Sequence, residues 1–328
     1  MNTSSIIIES PHIIHGKKWE TINGAITVGE NILKTLLTSV PNTTVITDST
    51  KSELTHYFNN NDIPYSNYMS HSDLENKFNS TPSHPIDFPH LIYNISVPFP
   101  SYSLSLRNIS KSPVPYIGQI HSLSSLNTLT ILRHFAFNTT IGDGLIVPSE
   151  SSKRICQAWI EDWTQKPCHL SIRTVPFGVD TSKFKPVSSN LALKKRFNLP
   201  ADKTVVLSLA RLNPKTKTDI FVTIQNFSHL LDTQSGAYLW IVGESTNKDY
   251  LKFLTDYIKD KHLEDSIRID TSVDHNAIET YMQAADIFLS MSDHFSENFG
   301  VAPIEGMSCG LPVILTDIAG QSAHIQHG

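Results

Sequence analysis

From Thr204 onward, short β-branched runs alternate with amphipathic helical stretches, and a parallel sheet covered by helices is the architecture that buries both kinds of segment. The spacing predicts strands over Thr204 to Ala210, Tyr238 to Val242, Ile267 to Ile269, Asp286 to Ser290 and Pro312 to Leu315. Between the first two, Ile220, Phe221, Ile224, Phe227, Leu230 and Leu231 recur at helical spacing within Asp219 to Leu231. Asp249 to Lys261 repeats the pattern with Tyr250, Leu251, Leu254, Tyr257 and Ile258 on one stripe, so both helices turn a packing face to a sheet.

The first half shows the same alternation with noisier punctuation. Strands are predicted near Ser5 to Ile8, Thr44 to Ile46, Leu91 to Ile95, Val114 to Ile120 and Leu145 to Val147. Helices are predicted over Ile26 to Leu37, Leu126 to Phe137 and Ser151 to Trp163. Asn59 to Pro89 is rich in Asn, Ser, His and Pro, which predicts surface loops. A chain of 328 residues suits two cores better than one. The best linker runs from Val175 through Asp180 and Lys183-Phe184-Lys185-Pro186 into a polar segment ending near Lys194. The expectation is therefore an α/β chain with domains over 1–185 and 186–328.

Composition excludes several functions. A formal charge of -5 leaves no basic excess for a nucleic-acid backbone, and no Lys/Arg cluster with interleaved aromatics occurs. Ser5 to Glu9 is too short and too acidic at its end for a secretory core, and no run of about eighteen apolar residues is present to span a bilayer. Cys156, Cys168 and Cys309 are odd in number and lack Cys-x-x-Cys spacing, which argues against a disulfide framework or a zinc site and fits a reducing cytoplasm. Peripheral membrane contact stays open. The Asn-x-Ser/Thr sequons at Asn42, Asn94, Asn108 and Asn138 follow by chance from an Asn-, Ser- and Thr-rich chain.

Chemistry concentrates in the segment from Ser292 to Val313, which follows a predicted strand and opens a helix. There the free amides of the first helical turn face the carboxyl edge of the sheet, where open α/β domains bind ligands, and an anion such as a diphosphate is the natural guest. Glu297 and Glu305 are eight residues apart, about 80° around a continuous helix, so they do not form one paired unit. Glu297 belongs in the loop and Glu305 in the helix, each able to touch a different part of one extended ligand. A carboxylate accepting from a vicinal diol is a common way to hold a ribose, which suits Glu305. On spacing alone, a helix cap at Glu297 and a solvated charge at Glu305 are equally good readings.

Glu-x7-Glu embedded in Glu297-Asn298-Phe299-Gly300, Pro303-Ile304-Glu305-Gly306-Met307 and Cys309-Gly310-Leu311-Pro312-Val313 resembles the signature of the retaining glycosyltransferases with the GT-B fold. The resemblance implies two Rossmann-like domains facing across a cleft, with the nucleotide-sugar donor on the C-terminal one. It implies Glu297 at the sugar, Asn298, Phe299, Gly300 and Val301 beside it, and Glu305 at the ribose. Val206 to Asp219 is similar to the family's strand ending in Gly-Arg-Leu with a following Lys, although Ala210 replaces that Gly. Arg211 and Lys217, with Lys215 as a rival, are thereby implied as the cations that offset a diphosphate leaving group. Val175 to Asp180 with Phe184 and Pro186 resembles the family's crossover between domains, with Phe177 in place of the usual Asn, and Leu239 to Gly243 resembles its Ile-Val-Gly strand end.

In the first half, His121 closes a predicted strand where the family often has a His near the reacting sugar, although a lone strand-end His is more often a satisfied structural residue. Gly24 is matched to the family's Gly-rich loop beneath the donor phosphates. The chain has no Asp-x-Asp, and the His12/His15 and His324/His327 pairs lack completing ligands, so no metal and no cofactor beyond the donor are expected. The implied function is transfer of a sugar, with retention, from a nucleotide-diphosphate sugar to a hydroxyl acceptor of unspecified class. Because relatives continue past Gln326-His327-Gly328 with another strand and helices, a shortened C-terminal domain is expected. The alternatives are a non-catalytic GT-B-like protein that binds a nucleotide sugar or a partner, and a nucleotide-sugar epimerase. A dinucleotide oxidoreductase is disfavoured because no Gly-x-Gly-x-x-Gly follows the first strand.

Overall fold

A computed structural model describes residues 6–9, 24–40, 43–46, 67–70, 91–94, 114–123, 126–214, 218–245, 247–294 and 297–325, with isolated positions 59, 72, 73 and 76. The chain divides into two compact units, Met1–Pro176 and Phe177–Gly328, so that Phe177 to Lys185 travels with the second.

The first unit is built on a parallel sheet of β1 (Ile6–Glu9), β2 (Thr43–Ile46), β3 (Asn67–Met69), β4 (Leu91–Asn94), β5 (Tyr116–Gln119), β6 (Gly144–Val147) and β7 (Ser171–Thr174). The strand order is β3-β2-β1-β4-β5-β6-β7, every described pair being parallel. Helices α1 (Gly24–Ser39), α2 (Leu126–Phe137) and α3 (Glu150–Thr164) follow β1, β5 and β6. Tyr116, Ile120, Leu132, Phe135, Leu145, Val147, Cys156 and Ile160 form one buried core among them. Asp143 pins the turn before β6 to β5, accepting from the Tyr116 amide at 2.8 Å and the Thr140 amide at 2.7 Å. Ser149 caps α3 by accepting from the Ser152 amide at 3.2 Å.

β3 corrects the expectation of loops throughout Asn59 to Pro89. It is an edge strand whose register, Thr44 opposite Asn67 and Ile46 opposite Met69, is carried by backbone pairing to β2. An edge strand of three residues needs no apolar alternation, so the composition hides it.

The second unit holds β8 (Thr204–Leu209), β9 (Ala237–Val242), β10 (Ile267–Asp270), β11 (Ile287–Ser290) and β12 (Val313–Leu315), all parallel in the order β10-β9-β8-β11-β12. Its helices are α4 (Leu191–Arg196), α5 (Ile220–Leu231), α6 (Lys248–Asp260), α7 (Ile278–Ala284) and α8 (Val301–Ser308). Every residue of β9 is buried, as a central parallel strand covered on both faces requires. Its alternate side chains enter different cores: Trp240 and Val242 pack with Tyr281, Met282 and Phe288, whereas Leu239 and Ile241 pack with Ile224, Phe227 and Leu254. Asp219 caps α5, accepting from the Phe221 amide at 3.1 Å and from the Tyr250 hydroxyl at 2.8 Å, which joins α5 to α6.

The polar stretch read as linker contains α4. Lys194 on this helix is 4% exposed, and its ammonium donates to Asp286 at 2.7 Å. Asn190 also donates to Asp286, at 2.8 Å, as does the Val205 amide at 2.7 Å. A short helix held by an ion pair, buried on the lysine side, with a partner ninety-two residues away has no long apolar stripe to announce it.

Candidate functional site

Consecutive connections leave β8 on opposite sides of the sheet, towards β9 and β11, which makes the carboxyl edge between β8 and β11 the topological switch point of the second unit. Arg211 stands there, two residues past β8, exposed, and its guanidinium makes no hydrogen bond or ion pair among the described residues. The turn that presents it is anchored on both sides. The buried Leu212 donates its amide to the Glu244 carbonyl at 2.9 Å, and Asn213 donates to the Arg211 carbonyl at 2.9 Å. A Cβ on Gly243 would lie 1.8 Å from the Ala210 carbonyl oxygen, so the ends of β8 and β9 approach this closely only because position 243 has no side chain. Lys215 and Lys217 lie outside the described residues.

On the other strand of the switch point, β11 leads through residues 291–300 into α8. Glu297 is half-buried. Its amide donates to the His294 carbonyl at 3.1 Å, and its carbonyl accepts from the Gly320 amide at 2.8 Å. The residue that caps α8 is Gly300, at φ +81° and with no side-chain cap, so Glu297 is not a helix cap. Gly300 brings no side chain to the amides of Val301 and Ala302, and Pro303 has none to offer, so those two, with the positive end of the helix behind them, are the amides a ligand could use. Asn298, Phe299 and Gly300 are buried and Val301 is half-buried. Gly306 seats α8 against the sheet, since an added Cβ would come within 3.1 Å of the Phe288 ring.

The segment after β12 clasps this loop. The Thr316 hydroxyl donates to the Ser292 carbonyl, and the buried Gln321 amide donates to the Ser290 hydroxyl at 3.0 Å. A Cβ on Gly320 would stand 1.8 Å from the Asn298 carbonyl oxygen. The Phe299 ring lies edge-on to Phe177 (5.1 Å, 71°) and to His324 (4.4 Å, 88°), and His324 Nε2 is hydrogen-bonded to the Phe299 carbonyl. Burial holds the His324 imidazole below its usual range against the opposing pull of the Phe299 and Gly300 backbone and the Glu297 carboxylate. Phe177 entered the sequence reading only as a departure from the family pattern, and His324 only as half of an incomplete metal pair. Nothing in their local sequence shows that they meet at Phe299.

Glu305, in the second turn of α8, is half-buried and so not a solvated surface charge. Burial pushes its carboxyl up to about 7, with Lys183 opposing the rise and Glu279 adding to it. The Lys183 ammonium is paired with Glu279 on α7 at 3.3 Å. The strand of chain carrying Lys183 is tied down by Ser308, whose hydroxyl donates to the Phe184 carbonyl at 2.6 Å, and by Gln283, whose amide donates to the Lys185 carbonyl at 3.0 Å. A further pair, His275 Nε2 and Glu244 Oε1 at 2.8 Å, sits at the carboxyl end of β9 and was not legible in the sequence.

Arg211 follows β8, and the loop from Glu297 to Val301 with the helix carrying Glu305 follows β11, so both segments leave the carboxyl ends of the two switch-point strands of one unit. That edge suits an extended ligand with an anionic middle and hydroxyl-bearing ends. His121 and Gly24 belong to the first unit. His121 follows the carboxyl end of β5 and is half-buried, and Gly24 is the first residue of α1. Among the described residues, no group of three or more His, Cys, Asp or Glu is arranged to hold a metal ion, and no helix is long and apolar enough to cross a membrane.

Residues 190–328 match the family model described as glycosyl transferases group 1. The chain is 30% identical over 166 residues to D-inositol 3-phosphate glycosyltransferase of Acidothermus cellulolyticus, covering 48% of this chain and 35% of that protein. It is 31% identical over 176 residues to mannosylfructose-phosphate synthase of Agrobacterium fabrum, covering 52% of this chain and 37% of that protein. The matched stretch is thus little more than a third of the length of these curated relatives. Among solved structures, Anabaena Alr3699/HepE in complex with UDP and glucose superposes with a TM-score of 0.69 at 17% identity, covering 99% of this chain and 84% of that one. Sucrose-phosphate synthase (tll1590) from Thermosynechococcus elongatus superposes with a TM-score of 0.66 at 20% identity, covering 98% and 84%. Both are GT-B glycosyltransferases, and the fold is the one the motif implied.

Proposed function

We propose that this chain, whose residues 190–328 match the group 1 glycosyltransferases and whose fold is GT-B, transfers a sugar from a nucleoside-diphosphate sugar to a hydroxyl acceptor. The observation that carries this reading is that the segments bearing Arg211 and Glu297 to Glu305 leave the carboxyl ends of β8 and β11, the two strands of the switch point of the second sheet, with Glu305 half-buried. In this reading the diphosphate lies between Arg211 and the first amides of α8, with Lys217 or Lys215 as a second cation. Glu305 accepts hydrogen bonds from the ribose diol, and Glu297 with Asn298 to Val301 faces the sugar. UDP in the HepE complexes supports a uridine donor as the first to test.

Transfer breaks the bond between the anomeric carbon and the diphosphate oxygen and forms one to the acceptor oxygen, whose proton is released. Negative charge accumulates on the diphosphate as it leaves. Fixed cations and helix amides stabilise that charge more than they stabilise the bound donor, which is what lowers the barrier. The proposal needs no metal, because Arg211 and the helix terminus supply the positive potential. Retention of configuration, a donor or acceptor hydroxyl contact at His121 and a phosphate contact at Gly24 follow the family resemblance and belong to the same proposal.

Titration of the chain with UDP, GDP and ADP tests the site. Binding of one of them, weakened about tenfold or more in Arg211→Ala and in Glu305→Ala, is the expected result. Equal affinity in both variants, or no binding at all, would remove the reading. Glu297→Ala is expected to retain nucleotide binding and to lose transfer.

A further inference from the structure

The ladder between β8 and β9 does not stop where the strands end. Leu209 and Val242 are the last paired residues, and beyond them the Ala210 amide donates to the Val242 carbonyl at 3.1 Å and the Leu212 amide to the Glu244 carbonyl at 2.9 Å. Running the register on by two residues sets Arg211 beside Glu244. Partners across a parallel ladder carry their side chains on one face, with neighbouring strands about 4.8 Å apart, so a guanidinium and a carboxylate become neighbours at the carboxyl edge of the sheet. Opposite charges placed side by side in this way attract and usually pair.

Here they do not pair. Arg211 is exposed and makes no hydrogen bond or ion pair among the described residues, whereas Glu244 Oε1 lies 2.8 Å from His275 Nε2. In the strand order β10-β9-β8, Glu244 leaves the middle strand, with Arg211 on one side and on the other the 3-10 turn His275–Ala277 that follows β10. That turn is fixed in place. The Asp274 amide donates to the hydroxyl of the buried Tyr281 at 3.0 Å, and the Asp274 carboxylate caps the turn by accepting from the Asn276 amide at 3.0 Å. Glu244 and His275 are both half-buried, so neither is a freely solvated surface group. A Glu244 carboxylate released from His275 would act twice against an anion at this edge, by pairing with Arg211 and by repelling the anion itself.

We propose that His275 is a positioning residue for Arg211: by binding the Glu244 carboxylate from the β10 side, it leaves the neighbouring guanidinium free for the diphosphate of the donor. This rests on the reading of Arg211 as the diphosphate contact. His275 acts through Glu244 and needs no contact with the donor.

Calorimetric titration of the full chain with UDP tests the idea through a pattern of variants. His275→Ala is expected to weaken UDP about three- to tenfold, as the freed carboxylate turns to Arg211. Glu244→Ala is expected to bind UDP at least as tightly as the parent, and the double variant His275→Ala/Glu244→Ala to bind like Glu244→Ala, so that the second change rescues the first. His275→Gln, whose amide keeps a donor at similar reach, is expected to bind like the parent. A pair that only stiffens the fold gives the opposite pattern: either single change weakens UDP and the double variant is no better than His275→Ala. That pattern overturns the proposal, as does parent affinity in His275→Ala. Should His275→Ala fold too poorly to titrate, Glu244→Ala decides, because weakened UDP binding there is incompatible with Glu244 as a competitor for Arg211. Arg211→Ala in the same series separates the two levels. Unchanged affinity in that variant removes the reading of Arg211 and the proposal with it, whereas a loss there with none in His275→Ala overturns the role of His275 alone.

Discussion

At the residue scale, Glu305 trades stability for the capacity to bind. The unfolded chain releases this proton near the ordinary carboxyl value of 4.5 and the folded chain near 7. Across that window the folded state holds the extra proton, so stability falls as pH rises and is flat above it. Discounted for the partial exposure of the group, the loss is about 2 kcal/mol. Glu305→Gln is therefore expected to melt higher than the parent at pH 8 and equally at pH 4, in thermal scans at matched ionic strength, while binding UDP less well. Gly320 makes the opposite expectation. Its φ of −74° is open to any residue, and what forbids a side chain is the Asn298 carbonyl, 1.8 Å from an added Cβ. Gly320→Ala must push the loop from Glu297 to Gly300 out of place and is expected to weaken nucleotide binding about tenfold or more, with a small change in melting temperature. His324→Ala, which removes one of the two rings bracing Phe299, is expected to act in the same direction and less strongly.

At the element scale, α4 is held by the Lys194–Asp286 pair and its polar network, with Leu193 packed against the core. Burial disfavours charge on Asp286, but hydrogen bonds from Lys194, Val205 and Asn190 outweigh it and hold its carboxyl below the usual range. Its stabilisation is thus present above the ordinary carboxyl pKa and is lost as pH falls through the depressed folded value. Lys194→Ala leaves Asp286 without its ammonium and is expected to cost about 3 kcal/mol in urea unfolding at pH 7. The elements that patterning identified are those stabilised by an apolar face. Helix α2 has the predicted bounds, and α3, α5 and α6 shift by a residue or two at either end. Those it left as loop or linker, β3 and α4, are held by backbone pairing at a sheet edge and by a polar network, neither of which has a period.

At the scale of the whole molecule, each apolar cluster among the described residues lies within one of the two units. One cluster lies between Ile92 and Ile172, and the other two between Phe184 and Cys309. Each unit has its own apolar interior, so Phe177–Gly328 is expected to fold when expressed alone and to bind UDP with the affinity of the full chain, since every proposed nucleotide contact but Gly24 lies within it. In calorimetry of the full chain, UDP at about 100 times its Kd is expected to stabilise one transition by about 2.7 kcal/mol and to leave the other in place. If the isolated second unit is unfolded, or UDP shifts both transitions equally, the units are not independent.

What the sequence determined by itself is whatever is written in local periodicity and spacing: the α/β alternation, the parallel sheets, and a motif whose two glutamates lie in a loop and in the helix it opens. Those features depend on residues within a few turns of one another. Tertiary structure decided the rest, because it rests on contacts between distant parts of the chain. Phe177 and His324 meet at Phe299, Gly320 closes on Asn298, and Lys194 reaches Asp286. It also decided the state of Glu305. Spacing left that residue open between a surface charge and a ligand contact, and burial, aided by Glu279 and opposed by Lys183, pushed its carboxyl up to about 7.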